Sequence, residues 1–132
     1  MVLVESNPAD VFLTADALKQ AGLSRHLTVF EDGLLALAHL RETAEPPDIV
    51  MLDLNIAPIS GLELLAEIRR DPNLAALPVV MVSGSESKHD VRKAYLAGAN
   101  CYINKPTKLD EYLRVMKSFY EFWGTVATLP RH

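Results

Sequence analysis

The chain has little of several features that define specialised classes of protein. One cysteine, Cys101, occurs in 132 residues, so no internal disulfide can form and a disulfide-stapled secreted fold is excluded. No apolar run approaches the ~18 residues of a membrane-spanning helix, and no signal-like segment leads the chain. These features predict a cytoplasmic protein that does not insert into a membrane.

An excess of positive charge is also missing. The formal net charge is -4, whereas nucleic-acid-binding domains usually carry a basic face. The four histidines, at 26, 39, 89 and 132, are scattered without the spacing of metal ligands. We therefore expect neither a nucleic-acid partner nor a histidine-bound metal.

What remains is the composition of one globular domain. Hydrophobic residues make up 49% and charged residues 23% of the chain, which is ordinary for a folded soluble domain. The length is sufficient to bury a single core. No internal repeat, low-complexity stretch or long linker divides the sequence.

Short apolar runs alternate five times with segments of helical period. The predicted strands are 1–4, 27–30, 48–53, 79–84 and 101–104, and the predicted helices are 8–21, 33–41, 61–70, 88–97 and 108–122. Such alternation predicts an α/β fold, with a parallel sheet covered by helices on both faces. Ligands of such sheets bind at the carboxyl ends of the strands.

Chemically useful side chains lie at or just beyond the ends of four of these strands. They are Glu5, Asp53, Ser83 and Lys105, whereas strand two ends in the acids 31–32 at the expected edge of the sheet. Each residue type alone is common just beyond a strand. Together they supply an oxygen nucleophile, a second acid, a hydroxyl and a cation, which are the groups that phosphoryl transfer requires. The combination predicts a phosphoryl-transfer site.

Nearly the whole chain resembles the receiver domain of bacterial two-component response regulators, of the chemotaxis-regulator type. The matching segments are VLVES (2–6), DIVMLDLNIAPISGLELL (48–65), PVVMVSG (78–84), AYLAGANCYINKP (94–106) and the final helix. The resemblance implies a doubly wound, flavodoxin-like (βα)5 fold with strand order 2-1-3-4-5. It also implies a signalling domain and not an enzyme, whose only chemical steps are self-catalysed phosphotransfer and autodephosphorylation.

The resemblance assigns roles to individual residues. Asp53 would accept a phosphoryl group from a phosphohistidine of a sensor kinase, and Ser83 and Lys105 would contact that group. The Lys105–Pro106 bond would be cis, which only X-Pro bonds adopt at low cost. Tyr102 matches an aromatic switch position that responds to Ser83; the alternative is that it is only the surface of a half-buried strand.

The metal site departs from the family pattern. The resemblance implies Mg²⁺ held by Asp53, by the backbone carbonyl of Asn55 and, through water, by Glu5. Ser6 stands where the family has a second acid that binds the metal directly, so a close negative charge is lost. We expect Mg²⁺ binding that is weakened rather than abolished. Asn55 could alternatively be only a turn residue.

The end of the chain is unusually aromatic. We predict a receiver domain over 1–123 and a C-terminal arm over 124–132, with no output domain. The apolar face of the last helix predicts a homodimer contact, with Tyr112, Met116, Phe119 and Trp123 as its residues; alternatively the tail folds over its own domain. This ending resembles single-domain regulators that pair with bacteriophytochrome-type kinases.

Two other functions fit parts of the pattern. A pseudo-receiver would keep the fold but signal without phosphate, which Ser6 favours and the trio Asp53, Ser83 and Lys105 disfavours. An aspartate-nucleophile phosphohydrolase would need an acid at position 55 and an acidic pair after the lysine, where the chain has Asn55 and 107–108 (Thr-Lys).

Overall fold

Five strands and five helices alternate along the chain. The computed structural model describes residues 1–22 and 27–130, so His26, His132 and the last two residues of the predicted arm lie outside the described part. The elements are β1 (Val2–Val4), α1 (Pro8–Gln20), β2 (Thr28–Phe30), α2 (Gly33–Glu42), β3 (Val50–Asp53), α3 (Gly61–Arg70), β4 (Val79–Ser83), α4 (Lys88–Leu96), β5 (Cys101–Asn104), α5 (Leu109–Glu121) and a π-helical turn (Phe122–Val126). Each predicted element is present, with ends that differ by a few residues.

The strands form one parallel sheet in the order β2-β1-β3-β4-β5, which confirms the predicted fold class. In the register Val4 lies beside Leu52, and Asp53 lies beside Val82. Because parallel strands end at the same edge, the residues at or just beyond the ends of β1, β3, β4 and β5 come together there. Among the described residues, no helix is both long and apolar enough to cross a membrane.

The central strand β3 is buried on both faces. Val50 and Leu52 point into one core layer with Leu64 of α3, whereas Met51 points into the opposite layer with Met116 of α5. This alternation follows from the two-residue period of a strand. The uninterrupted apolar run of β3 is thus explained by helices on both sides.

Polar residues fix the starts of α1 and α3 at the carboxyl edge. The Asn7 side chain accepts hydrogen bonds from two backbone N–H groups of α1, and Pro8 occupies its first position. Ser60 and Glu63 form a reciprocal capping box at the start of α3. Such caps satisfy N–H groups that have no partner within the helix. They hold the helix ends in fixed positions beside the strand ends.

An arginine that the sequence analysis did not single out ties the opposite edge of the sheet together. The Arg69 guanidinium donates hydrogen bonds to the carbonyls of Leu77 and Gly98 and to Oδ1 of Asn100. The same Asn100 oxygen accepts from the N–H of Val79. Arg69 therefore links the end of α3 to the beginnings of β4 and β5, since its planar fork can serve several acceptors.

Three of the four predicted dimer residues, those on α5, are wrong. Tyr112, Met116 and Phe119 are buried in the chain's own core, against the sheet. They form the stripe by which an amphipathic helix covers a sheet, so they are not available to a partner. Trp123, in the turn after α5, is only partly buried.

The approach of α3 to the end of β3 requires glycine at position 61. The Gly61 N–H donates to the Leu54 carbonyl at 3.0 Å. A methyl group at Gly61 would overlap the Asp53 carbonyl oxygen and lie 2.9 Å from Leu54 Cα. Both neighbours are backbone atoms, which cannot rotate away.

We therefore expect Gly61→Ala to lower the free energy of unfolding by about 1–3 kcal/mol, as overpacking does. The matched control is Gly84→Ala, because a methyl group there meets no atom within 4 Å, and we expect a change of at most about 0.5 kcal/mol. Denaturant unfolding of both variants measures these values. Equal stabilities of the two variants would contradict the assignment of a tight contact at Gly61.

Candidate functional site

A single ammonium group lies at the centre of the carboxyl edge. Lys105 follows β5, and its Nζ donates to Asp53 Oδ2 at 2.7 Å, to Glu5 Oε2 at 2.9 Å and to Asp10 Oδ2 at 3.0 Å. Its backbone N–H donates to the Ser83 carbonyl at 2.7 Å, which fixes where the side chain begins. The predicted meeting of Glu5, Asp53 and Lys105 is thus observed.

The carboxylates of Glu5 and Asp53 are almost fully buried, at 4% and 6% exposure. Each binds Lys105 through one oxygen. The other oxygen accepts from a backbone N–H, that of Asn7 for Glu5 (3.1 Å) and that of Asn55 for Asp53 (2.6 Å). Buried charges need such partners, because an unpaired charge away from water is very costly.

The neighbouring carboxyl groups of Glu5 and Asp53 have pKa values that are shifted in opposite directions. Burial, reinforced by Asp53, raises the pKa of Glu5 to about 7. Burial also opposes ionisation of Asp53, but hydrogen bonds from Glu5, Lys105 and Asn55 outweigh it and hold the pKa of Asp53 below its usual range. Asp53 is therefore the ionised member of the pair at neutral pH, as a nucleophile must be.

Burial opposes the charge of Lys105 as well, but its hydrogen bonds to the acids prevail and raise the pKa of its ammonium. The cation is therefore present throughout the physiological pH range. A permanent positive charge 2.7 Å from Asp53 Oδ2 can neutralise negative charge that develops or arrives at that oxygen.

Ser83 and Tyr102 are connected through one residue of the loop after β4. Ser83 is fully buried, and its Oγ accepts from the Ser85 N–H at 3.1 Å. The Tyr102 hydroxyl donates to the Ser85 carbonyl at 3.0 Å. Ser83 lies on the strand beside Asp53, one residue beyond its partner Val82. A shift of the Ser83 hydroxyl would therefore displace Ser85, whose carbonyl accepts the hydrogen bond from Tyr102.

Ser6 and Asn55 are direct neighbours across the cleft. The Ser6 hydroxyl donates to the Asn55 backbone carbonyl at 3.3 Å. This bond joins the loop after β1 to the loop after β3, at the position where the family resemblance implies a metal ligand on each.

Sequence reasoning missed Asp10. This residue is the third of α1, and its carboxylate reaches Lys105 as Glu5 and Asp53 do. The available signal was its position: an acid three residues after the cap Asn7 lies in the first turn, where the helix dipole favours negative charge. That turn borders the carboxyl edge of the sheet.

The donor set fits a hard divalent cation. Glu5, Asp10 and Asp53 each offer a carboxylate oxygen, and these three oxygens lie within 4.8 Å of one another. Mg²⁺ binds oxygen ligands, usually one or two carboxylates with several waters. The Asn55 carbonyl beside Ser6 adds a neutral oxygen to the same cleft.

The prediction of a cis bond before Pro106 is wrong. In the described residues the cis peptide bond is Ala57–Pro58, and Lys105–Pro106 is trans. The trans form of an X-Pro bond is favoured by about 0.5–1 kcal/mol. With this bond trans, Lys105 already reaches Glu5 and Asp53, so the observed contacts do not require the cis isomer.

This fold and this edge, with an ionised aspartate, a lysine, a buried serine and an acidic group, are those of receiver domains. The response regulator receiver domain family matches residues 1–117, and the chain belongs to that family. Receiver domains are signalling domains of two-component systems. The resemblance drawn from the sequence is confirmed at this level.

Several response regulators are similar to the chain, among them a phytochrome and a bacteriophytochrome response regulator. Response regulator Rcp1 of Synechocystis is 34% identical over 135 residues, which cover 98% of this chain and 92% of Rcp1. The Mn²⁺-bound structure of Rcp1 is 33% identical with a TM-score of 0.89, and the match covers 98% of this chain and 97% of that one. The phosphorylated cyanobacterial phytochrome response regulator RcpA is 38% identical, with a TM-score of 0.92 over 98% and 96%. The bacteriophytochrome response regulator RtBRR is 32% identical, with a TM-score of 0.76 over 98% and 82%.

The raised pKa of Glu5 predicts a pH dependence of stability. Between the ordinary value of 4.5 and about 7, folded Glu5 keeps a proton that the unfolded chain releases. Stability from this group therefore falls as pH rises through that window. Asp53, lowered from 3.8, and Lys105, raised from 10.5, titrate outside it.

The comparison is with Glu5→Gln, which cannot ionise. We expect the free energy of unfolding of the wild type, minus that of Glu5→Gln, to decrease from pH 4.5 to about 7 and then level off. Denaturant titrations in metal-free buffer measure it. A difference that stays constant over this range would mean that Glu5 titrates normally.

Proposed function

We propose that this protein is a phospho-accepting response regulator that takes a phosphoryl group from a sensor histidine kinase onto Asp53 and signals by protein contact. The observation that carries the proposal is the Asp53 carboxylate. It is buried at 6% exposure, its pKa is lowered, and it is paired with Lys105 at 2.7 Å at the open edge of the sheet. A carboxylate kept ionised beside a fixed cation is suited to attack phosphorus.

In the proposed step an Asp53 carboxylate oxygen forms a bond to phosphorus. The bond from phosphorus to the imidazole nitrogen of the kinase histidine breaks, and that nitrogen keeps the electron pair. Lys105 would pair with the phosphoryl oxygens, and the Ser83 hydroxyl would donate to one of them. Both groups already lie at this edge, held by the Lys105 N–H bond to the Ser83 carbonyl.

Mg²⁺ completes the proposed site, held by Glu5, Asp53 and the Asn55 carbonyl, with the Ser6 hydroxyl as a weak neutral neighbour. When bound, it would neutralise charge on the phosphoryl oxygens. We propose that its affinity is lower than in a chain with an acid at position 6, because a hydroxyl supplies no formal charge. The Ser6 bond to the Asn55 carbonyl also occupies part of that acceptor.

Tyr102 is the proposed readout of phosphorylation. A Ser83 hydroxyl drawn toward the phosphoryl group would loosen its bond with the Ser85 N–H. Because the Ser85 carbonyl accepts from the Tyr102 hydroxyl, the loop and the ring would move together. This would change the surface formed by α4 and β5.

The proposed partner is a bacteriophytochrome-type histidine kinase in the cytoplasm. The similarity to RcpA and RtBRR, which are phytochrome and bacteriophytochrome response regulators, supports this partner. The match to RcpA extends over 98% of this chain and 96% of RcpA at 38% identity.

The test is phosphorylation by a small phosphodonor in the presence of Mg²⁺. We expect an added phosphoryl mass that survives acid and is lost in base, as an acyl phosphate is, and we expect Asp53→Asn to abolish it. The matched control is Asp16→Asn on α1, whose carboxylate accepts from Gln20 away from the cleft; it should be labelled as the wild type is. Labelling of Asp53→Asn at wild-type level would contradict the proposal.

A pseudo-receiver remains the second candidate, favoured by Ser6 in the metal-ligand position. It would use the same fold to bind a partner without phosphate. Absence of any phosphoryl adduct in the wild type, even at high Mg²⁺, would favour this function over the first.

We propose further that the chain forms a homodimer through a C-terminal apolar face. This face comprises Ile103, Val115, Phe122 and Trp123, which line one shallow groove between the edge strand β5 and α5. Phe122 is 50% exposed, and Val126 in the adjoining turn is 70% exposed. An apolar face beside an edge strand is typical of a protein contact.

The substitution Phe122→Glu tests the dimer, because a charge at its centre would be desolvated on association. We expect light scattering to give the mass of two chains for the wild type and of one chain for Phe122→Glu. Phe12→Glu is the control, since Phe12 is also exposed, at 70%, but lies on α1. A wild type that is monomeric at all concentrations would remove the dimer.

A further inference from the structure

We infer that Asp10 supplies the metal-binding carboxylate that is absent at position 6. The inference rests on the proposed Mg²⁺-dependent function of the same cleft and adds a residue of this chain to it. The loop residue after Glu5 is a serine, so the negative charge near the cation site must come from elsewhere if binding persists. Asp10 is the acid that the structure brings to that place.

The first turn of α1 holds Asp10 rigidly over the cleft. Asn7 Oδ1 accepts from the N–H of Ala9 at 2.9 Å and from the N–H of Asp10 at 3.2 Å. Pro8 occupies the first position of the helix, where its fixed φ fits the helical backbone. The Asp10 backbone is therefore anchored by its own hydrogen bond to the cap. Binding a cation therefore requires less ordering of Asp10 than of an acid in an unstructured loop.

The ammonium of Lys105 demonstrates that one cation can contact all three acids. Its Nζ lies 2.7 to 3.0 Å from oxygens of Asp53, Glu5 and Asp10. In an octahedral Mg²⁺ site, ligand oxygens at about 2.1 Å from the metal are about 3 to 4 Å apart. The three carboxylate oxygens, all within 4.8 Å of one another, approach that spacing without a backbone change.

Ser6 does not compete with Asp10 for this role. Its hydroxyl donates to the Asn55 carbonyl at 3.3 Å, which ties the two loops together. Asp10 is also the most accessible of the three acids, with 32% of its side chain exposed, against 5% for Glu5 and 8% for Asp53. It can therefore meet an entering hydrated cation, directly or through one of its waters.

The competing interpretation is that Asp10 only anchors Lys105 and complements the α1 dipole. That role would affect stability without metal and leave metal affinity unchanged. Direct binding measurements on the unphosphorylated full chain separate the two roles. Mg²⁺ is titrated by calorimetry, and Mn²⁺ is followed by the loss of its free-ion electron paramagnetic resonance signal.

Four chains are compared: the wild type, Asp10→Asn, Asp16→Asn, and the double variant Asp10→Asn with Ser6→Asp. We expect Asp10→Asn to weaken both metals about tenfold, which is within the effect of losing a ligand or its close support. Asp16→Asn makes the same charge change on the same helix, where its carboxylate accepts from Gln20. It should change affinity by less than about twofold, since separated exposed charges are screened. The double variant should regain most of the lost affinity.

Wild-type affinity in Asp10→Asn, or an equal loss in Asp16→Asn, would overturn the inference and leave the proposed function intact. Failure of the wild type to bind either metal would instead remove the metal step of the proposed function, and the inference with it. Thermal unfolding without metal checks that Asp10→Asn is folded. A stability loss with unchanged metal affinity would assign Asp10 to the anchoring of Lys105 alone.

Discussion

The site depends on the partly buried ammonium of Lys105, which is held by three carboxylates from three different places in the fold. Glu5 follows β1, Asp53 ends β3 and Asp10 lies on α1, and each reaches Lys105 within 3.0 Å. Without that cation, the acids would be like charges crowded in a place of low exposure, which is strongly unfavourable. The same three acids offer oxygen ligands for a divalent cation.

The sheet determines where this cluster can form, and the helices determine how rigid it is. The parallel order β2-β1-β3-β4-β5 brings four strand ends to one edge. Gly61 lets α3 begin against the end of β3, where a side chain would collide with backbone atoms. Asn7 fixes the start of α1 on the other side of the cleft. The side chains of the site are thus carried by backbone segments that the close contact at Gly61 and the cap at Asn7 hold in place.

The connection from the site to the surface is short. Ser83, Ser85 and Tyr102 form a chain of hydrogen bonds from the buried edge to the half-exposed face of β5. On the other side of the sheet, Thr14 of α1 and Tyr112 of α5 share a buried hydrogen bond, which joins the helix that carries Asp10 to the helix that leads into the C-terminal apolar face. Contacts therefore connect the region of the acidic cluster to two surfaces, one through Ser83 and Ser85 to Tyr102, the other through α1 and α5 to the C-terminal apolar face. Mutation of these contacts tests whether the site and the two surfaces are coupled.

The sequence by itself determined the α/β class, the five strands, the five helices and the identity of Glu5, Asp53, Ser83 and Lys105, because hydrophobic period and strand-end chemistry are local signals. Only the tertiary structure decided which side chains meet. It added Asp10, since a residue in a helix turn gives no local sign of which strand end it faces. It assigned Tyr112, Met116 and Phe119 to the core, since an amphipathic stripe does not say whether a sheet or a second chain covers it. It also made Lys105–Pro106 trans, because the isomer of an X-Pro bond, whose two forms differ by only about 0.5–1 kcal/mol, is decided by surrounding contacts rather than by the dipeptide.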